Sequence, residues 1–331
     1  MLARYRQILS SIKGYLPASQ RNVSQSRREI ENLRRVCLEI NHDIGAIRES
    51  LSRQQSLAEG QKDNRVILLD YPIRPRKRSY EDTIAGKELI SLFSEHEPRY
   101  RQLLQDIASY GQDLRAIGVS DARPMEPNWV NGWLPGLDSA LIYTLIRKNS
   151  PRIYLEVGSG NSTKFARRAI MDGMLDTTII SIDPHPRAEI DAICDEIVRQ
   201  PLEDMDQTIF NRLTAGDVLF VDNSHRCFQS SDVTVFFTEI LPTLAEGVIW
   251  GIHDILLPYD YPNDWLDRFY SEQYVLASYL LGGHKKDEVI FPAMFVSKHP
   301  VLSSIVEDIF SDPHFAPIET HGGAFWMQRK C

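Results

Sequence analysis

Four acidic residues and two histidines stand where short apolar runs of this chain end: Glu156, Asp183, Asp222, His225, His253 and Asp254. The runs are 153–157, 178–182, 218–222 and 247–252, and each reads as a buried strand. Gly158 and Gly160 follow the first, just before a segment that reads as a helix start. Such glycines let the backbone approach a ligand closely, and the helix N-terminus presents free N–H groups. A carboxylate about 20 residues beyond the loop, here Asp183, is placed to hold ribose hydroxyls. Any one of these acids reads equally well as a helix cap, Asp222 included. Acids at successive strand ends, joined by two histidines, form a pattern that capping does not account for.

Positioning them requires strands that all end on one rim. The pattern predicts helix 137–148, strand 153–157, helix 161–173, strand 178–182, helix 187–197 and a weak strand near 198. Helix 205–213, strand 218–222, helix 230–244, strand 247–252, helix 263–281 and strands near 289–296 and 324–328 follow. Repeated βα units imply an α/β fold: a Rossmann-like, doubly wound, mostly parallel sheet with helices on both faces. Ligands then bind at the carboxyl ends of the strands.

The ordered motifs Glu156-Val-Gly-Ser-Gly-Asn-Ser-Thr163, Ile182-Asp183, Phe220-Val-Asp-Asn-Ser-His225 and Gly247-Val-Ile-Trp-Gly-Ile-His-Asp254 resemble a class I S-adenosylmethionine-dependent methyltransferase. The resemblance is to the small-molecule O-methyltransferase-like branch and covers 137–331. It implies that Glu156, Gly158, Gly160 and Ser162 shape the pocket for the methionine part of S-adenosylmethionine, and that Asp183 holds the ribose. Glu203, after the third strand, falls where such enzymes hold the adenine. It further implies that His225 or His253 takes the acceptor's proton. Alternatively, Asp222 and Asp254 hold Mg²⁺ or another divalent cation that acidifies the acceptor hydroxyl. The implied acceptor is a hydroxyl of a sugar, glycan or polyketide-type metabolite. An NAD-dependent oxidoreductase on a similar sheet and a non-catalytic coiled-coil scaffold are the alternatives. The loop lacks a dinucleotide binder's third glycine, and no Tyr-x-x-x-Lys pair follows the fourth strand.

The first 136 residues fall outside the resemblance. Leu2, Tyr5, Leu9, Ile12 and Leu16 give residues 1–16 an amphipathic pattern. Val23, Ser26, Ile30, Leu33, Cys37, Ile40, Ile44, Ile47 and Leu51 alternate spacings of three and four, which predicts a coiled coil and a homo-oligomer through 23–51. The expected domains are 1–60 (amphipathic helix and coiled coil), 61–136 (linker and helical cap region) and 137–331 (Rossmann-like domain). Loops 124–136 and 256–265 offer aromatics that could line an acceptor pocket.

Residues 1–80 carry 16 basic against 8 acidic groups, and the remainder 21 against 37. A basic head on an acidic body suits peripheral contact with an anionic membrane surface. No motif or aromatic interleaving points to nucleic acid. The four scattered cysteines fit a reducing, cytoplasmic setting, and no secretory leader is expected.

Overall fold

The computed structural model describes residues 23–62, 70–120, 123–186, 189–283 and 286–330. The chain divides into two compact units, 1–74 and 75–331. In the first, one helix, α1 (Val23–Lys62), carries the heptad pattern. Ile30, Ile44, Ile47 and Leu51 on it are exposed. The amphipathic stretch 1–16 lies outside the described residues. Among the described residues, no helix is long and apolar enough to cross a membrane.

The second unit holds a seven-stranded sheet: β1 (Ile153–Val157), β2 (Thr178–Ile182), β3 (Glu196–Val198), β4 (Val218–Val221), β5 (Ile249–Ile252), β6 (Asp287–Pro292) and β7 (Phe325–Arg329). The order is β3-β2-β1-β4-β5-β7-β6, with β7 antiparallel to both of its neighbours. β1 pairs in parallel with β2 on one side and with β4 on the other. The strand order reverses between β1 and β4, which opens a crevice at their carboxyl ends. β1 and β4 are buried along their whole length, as expected of central parallel strands.

The helical pattern over 84–117 resolves into three helices: α2 (Ile84–Ser94), α3 (Glu97–Ser109) and α4 (Gly111–Arg115). Pro98 stands in the first turn of α3, a position that starts a helix rather than continuing one. Phe93 packs on Phe295 and Phe325, and Tyr100 on Phe291, so these helices share the sheet's core. The compact unit therefore begins at Pro75, well before residue 137. α5 (Gly136–Asn149) and α6 (Asn161–Gly173) follow the expected spans closely.

Four expected helices differ. Within 187–197 the described residues form only a 3-10 turn, Asp191–Ile193, and 196–198 become β3. The apolar spacing there is helical, but pairing with β2 wins, and Asp195 accepts the backbone N–H of Ile179. Residues 205–213 give only a 3-10 turn, Gln207–Arg212, capped by Asp206. Over 230–244 a short helix, α7 (Asp232–Val235), widens into a π-turn and closes at Pro242. The span 263–281 splits at Phe269, whose φ of 54° is left-handed. The remainder is α8 (Glu272–Leu281). Beyond β6, Ala293–Lys298 (α9) is helical rather than extended, and α10 (Leu302–Ile309) follows.

One buried carboxylate ties the antiparallel edge together. Asp287 accepts from Trp250 Nε1 at 2.8 Å and from Arg329 Nη1 at 2.7 Å, and also from the Tyr279 hydroxyl. Asp287→Ala removes the acceptor of the buried Trp250 N–H and the carboxylate partner of the buried Arg329 guanidinium. The expected cost is about 3–5 kcal/mol, read as a lower urea midpoint. An unchanged midpoint would show that the edge stands without it.

Candidate active site

The crevice opens into a cavity of about 690 Å³ lined from both sides of the β1–β4 junction. On the β1 side, Glu156 is fully buried and accepts from Tyr154 at 2.9 Å and from the Thr163 hydroxyl. Thr163 in turn accepts the Gly160 N–H at 3.0 Å. This chain of bonds holds the turn from β1 into α6. Gly158 has a φ of +79° and lies against the Asp222 carbonyl, whereas at Gly160 a Cβ would meet nothing within 4 Å. Gly160 thus keeps open space in the cradle, and Gly158 lets β1 and β4 approach. Asp183 accepts the Ser159 N–H at 2.9 Å and the His185 N–H at 2.8 Å, which fixes its carboxylate at the cavity wall.

Burial pushes the Glu156 carboxyl up to about 7, although hydrogen bonds from Ser162, Thr163 and Tyr154 pull the other way. Its pKa is higher folded than unfolded, so the folded state binds the proton more tightly. Stability should therefore fall as pH rises from about 4.5 to about 7. The Glu156→Gln variant should lose that slope, measured as the denaturation midpoint at pH 5 and pH 8. A slope unchanged in the variant would place the effect elsewhere.

On the β4 and β5 side, Asp222, His225, His253 and Asp254 converge. His225 Nε2 lies 3.2 Å from Asp222 Oδ1 and 3.4 Å from Asp254 Oδ2, while its Nδ1 lies 2.9 Å from Glu272 Oε2. His253 Nδ1 lies 3.4 Å from Asp222 and 3.5 Å from Asp254, and its Nε2 lies 3.4 Å from Asp138. Two carboxylates thus stand between two imidazoles, and each imidazole has a fully buried acid behind it. His225 (φ 59°) and Asp254 (φ 53°) are both left-handed. For residues other than glycine this costs about 1–3 kcal/mol each, and such strain concentrates at functional sites.

Local contacts hold this geometry. The His225 carbonyl accepts the N–H groups of Ser271 and Glu272, and Ser224 donates twice to Asp232. Asp138 accepts the Gly323 and Ala324 N–H groups at 2.6 and 3.0 Å. Burial alone would push the His225 ring down. Hydrogen bonds to Asp222 and Glu272 and the charges of Glu272 and Asp254 overcome it and raise the ring to about 10. His253 is raised in the same way, chiefly by Asp222. Burial would raise Asp222, but the two imidazoles hold it well below the usual carboxylate range.

Gly158, Gly160, Ser162, Asp183, Glu203, Asp222, His225, His253 and Asp254 all line the one cavity. Glu156 does not; it lies beneath the loop as its anchor. Of the two aromatic loops, 124–136 divides its work: Trp133 lines the cavity while Trp129 packs on Phe165 and Phe315. In 256–265 only Trp265 lines it, and Tyr261 packs behind. Asp138, Glu272 and Arg268 are site residues that sequence reasoning misses. An acid inside the mostly apolar run 137–146 is the available signal for Asp138; Glu272 and Arg268 sit among ordinary surface-like charges and give none.

Residues 155–255 match the family model described as a methyltransferase domain. With the seven-stranded sheet and the strand-end site, this identifies a class I S-adenosylmethionine-dependent methyltransferase domain in the chain. No curated protein matches the chain. Among solved structures, the SAH-bound Podospora anserina methyltransferase PaMTH1 is 14% identical over 58% of this chain and 78% of that one, with a TM-score of 0.36. A putative O-methyltransferase from Klebsiella pneumoniae is 9% identical over 74% and 99%, also at 0.36. The plantazolicin methyltransferase BpumL with SAH is 11% identical over 76% and 93%, at 0.36. Likeness at this level carries no argument about substrate.

Proposed function

We propose that the protein transfers the methyl group of S-adenosylmethionine to a hydroxyl oxygen of a small sugar, glycan or polyketide-type acceptor. The observation that carries this reading is the His225–Asp222–Asp254–His253 cluster, which shares one cavity with the Gly158–Gly160 cradle. The residues fit the cofactor: Gly160 leaves open space, Asp183 and Glu203 line the wall beyond, and the cluster's acids suit a cationic sulfonium. When bound, S-adenosylmethionine supplies an activated methyl group, which leaves the protein to align and deprotonate the acceptor.

Of the two imidazoles His225 is the better placed base. Its Nδ1 lies against buried Glu272 and its Nε2 faces the cavity acids, which hold the ring charged at neutral pH; it takes the acceptor's proton from its neutral form, so the rate should climb as pH rises towards about 10. His253, backed by Asp138, holds Asp222 and Asp254 apart on the other side. A divalent cation also fits these residues. Ligand atoms of Asp222, His225 and Asp254 lie within 4.8 Å of one another, and Glu272 backs the imidazole as such ligands require. Such an ion would lower the acceptor hydroxyl's pKa, and the mixed nitrogen and oxygen donors suit Mn²⁺ as well as Mg²⁺.

The test is turnover of S-adenosylmethionine with hydroxylated acceptors, in Mn²⁺, Mg²⁺ or EDTA. O-methylated product supports the reading, and its loss in EDTA supports the metal. Methylation confined to amines or thiols sinks the hydroxyl acceptor.

The exposed apolar stripe of α1 supports a further reading, that a second copy of the chain pairs with it as a coiled coil.

A further inference from the structure

The wall formed by 263–270 carries a feature that methyl transfer itself does not need. Arg268 lines the cavity with its guanidinium carbon 4.3 Å from the Trp265 ring centroid and 5.6 Å from that of Tyr270. Arg226 lies 5.1 Å from the Tyr270 centroid. Arg226 is fixed further by donating from Nε to the Arg268 carbonyl at 2.9 Å and from Nη1 to the Ser224 carbonyl at 3.0 Å. Among the described residues, no acidic side chain forms an ion pair with either guanidinium. Two like charges therefore share one aromatic platform, each held over a ring by cation–π contact. Trp265 and Tyr270 are themselves buttressed by Tyr261.

The same Tyr270 ring meets His225, centroid to centroid, at 4.8 Å. The arginines are thus a single ring away from the base. The cavity is bipolar: acids gather at the ends of β4 and β5, where a cationic sulfonium belongs, and Arg268, with no acidic partner among the described residues, lines the same cavity. Stacked guanidinium groups with free N–H edges are preorganised to receive carboxylate or phosphate oxygens, often through two bonds at once.

We propose that the acceptor carries an anionic group, a carboxylate or a phosphate, which Arg268 binds with Arg226 beside it while the hydroxyl faces His225. This rests on the methyl-transfer reading and narrows its substrate class to hydroxylated acids or phosphate esters.

The test is calorimetry on the full-length protein saturated with S-adenosylhomocysteine, using matched probes. Catechol is compared with 3,4-dihydroxybenzoate, and glucose with glucose 6-phosphate, so the two arms separate carboxylate from phosphate. In at least one arm the anion should bind about tenfold more tightly than its neutral partner. Arg268→Ala should abolish the preference, and Arg268→Lys should keep part of it. Equal binding of the neutral and anionic partners, no binding of either anion, or a preference that survives in Arg268→Ala overturns the proposal. The preceding titration with S-adenosylhomocysteine separates the two readings: if that binding is absent, methyl transfer itself fails.

Discussion

Asp222→Asn should lower kcat by about 10²–10⁴-fold, the usual range for losing positioned proton transfer. Asp222 is the one acid within 3.4 Å of both imidazoles, through the same oxygen. Asparagine keeps its shape but removes the charge, and its amide can present N–H where both rings need an acceptor. Nε2 of His225 and Nδ1 of His253 then lose the shared oxygen that fixes where each ring points. The cradle on the β1 side is untouched, so affinity for S-adenosylhomocysteine should change by no more than about threefold, a fraction of a kilocalorie. Initial rates and calorimetry on the same preparation check both halves. Activity within about threefold of the parent protein would place the chemistry away from this cluster.

Gly158→Ala should cost about 3 kcal/mol of stability and abolish cofactor binding with it. At φ +79° an added Cβ is strained in itself, and it would stand 1.8 Å from the Asp222 carbonyl oxygen. That oxygen belongs to backbone at the end of β4 and cannot swing aside. Relief requires parting β1 from β4, which moves the Gly158–Gly160 loop and Asp222 together. Gly160→Ala is the control. Its φ of 177° lies outside the left-handed region, and open space surrounds the new methyl. It should leave the denaturation midpoint nearly unchanged and weaken only the cofactor. Equal midpoints for the two variants would refute the close approach at Gly158.

These two glycines belong to the part of the site that is legible in the sequence. Strand ends and tight turns leave local marks: Glu156-Val-Gly-Ser-Gly160 and Ile252-His-Asp254 each combine a buried run with residues that a strand interior would not carry. The spans of β1, α6 and β2 follow from the same marks. Long-range partners leave none. Asp138 reaches His253 from a helix that precedes β1, and Glu272 reaches His225 from one that follows β5. Nothing in the spacing of either acid records that contact. The split at Phe269 is hidden for a related reason. The helical pattern of 263–281 continues through it, yet Glu272 N–H must turn to meet the His225 carbonyl, and that tertiary bond fixes where α8 begins. The helical spacing read over 187–197 is likewise overruled at its end by pairing with β2.

The most direct measurement is calorimetric titration of the full-length protein with S-adenosylhomocysteine and, separately, with NAD⁺. One molecule of S-adenosylhomocysteine should bind per chain, with no heat from NAD⁺, and Gly160→Ala should weaken the binding. Binding of NAD⁺ without S-adenosylhomocysteine would contradict a methyltransferase built on this cradle.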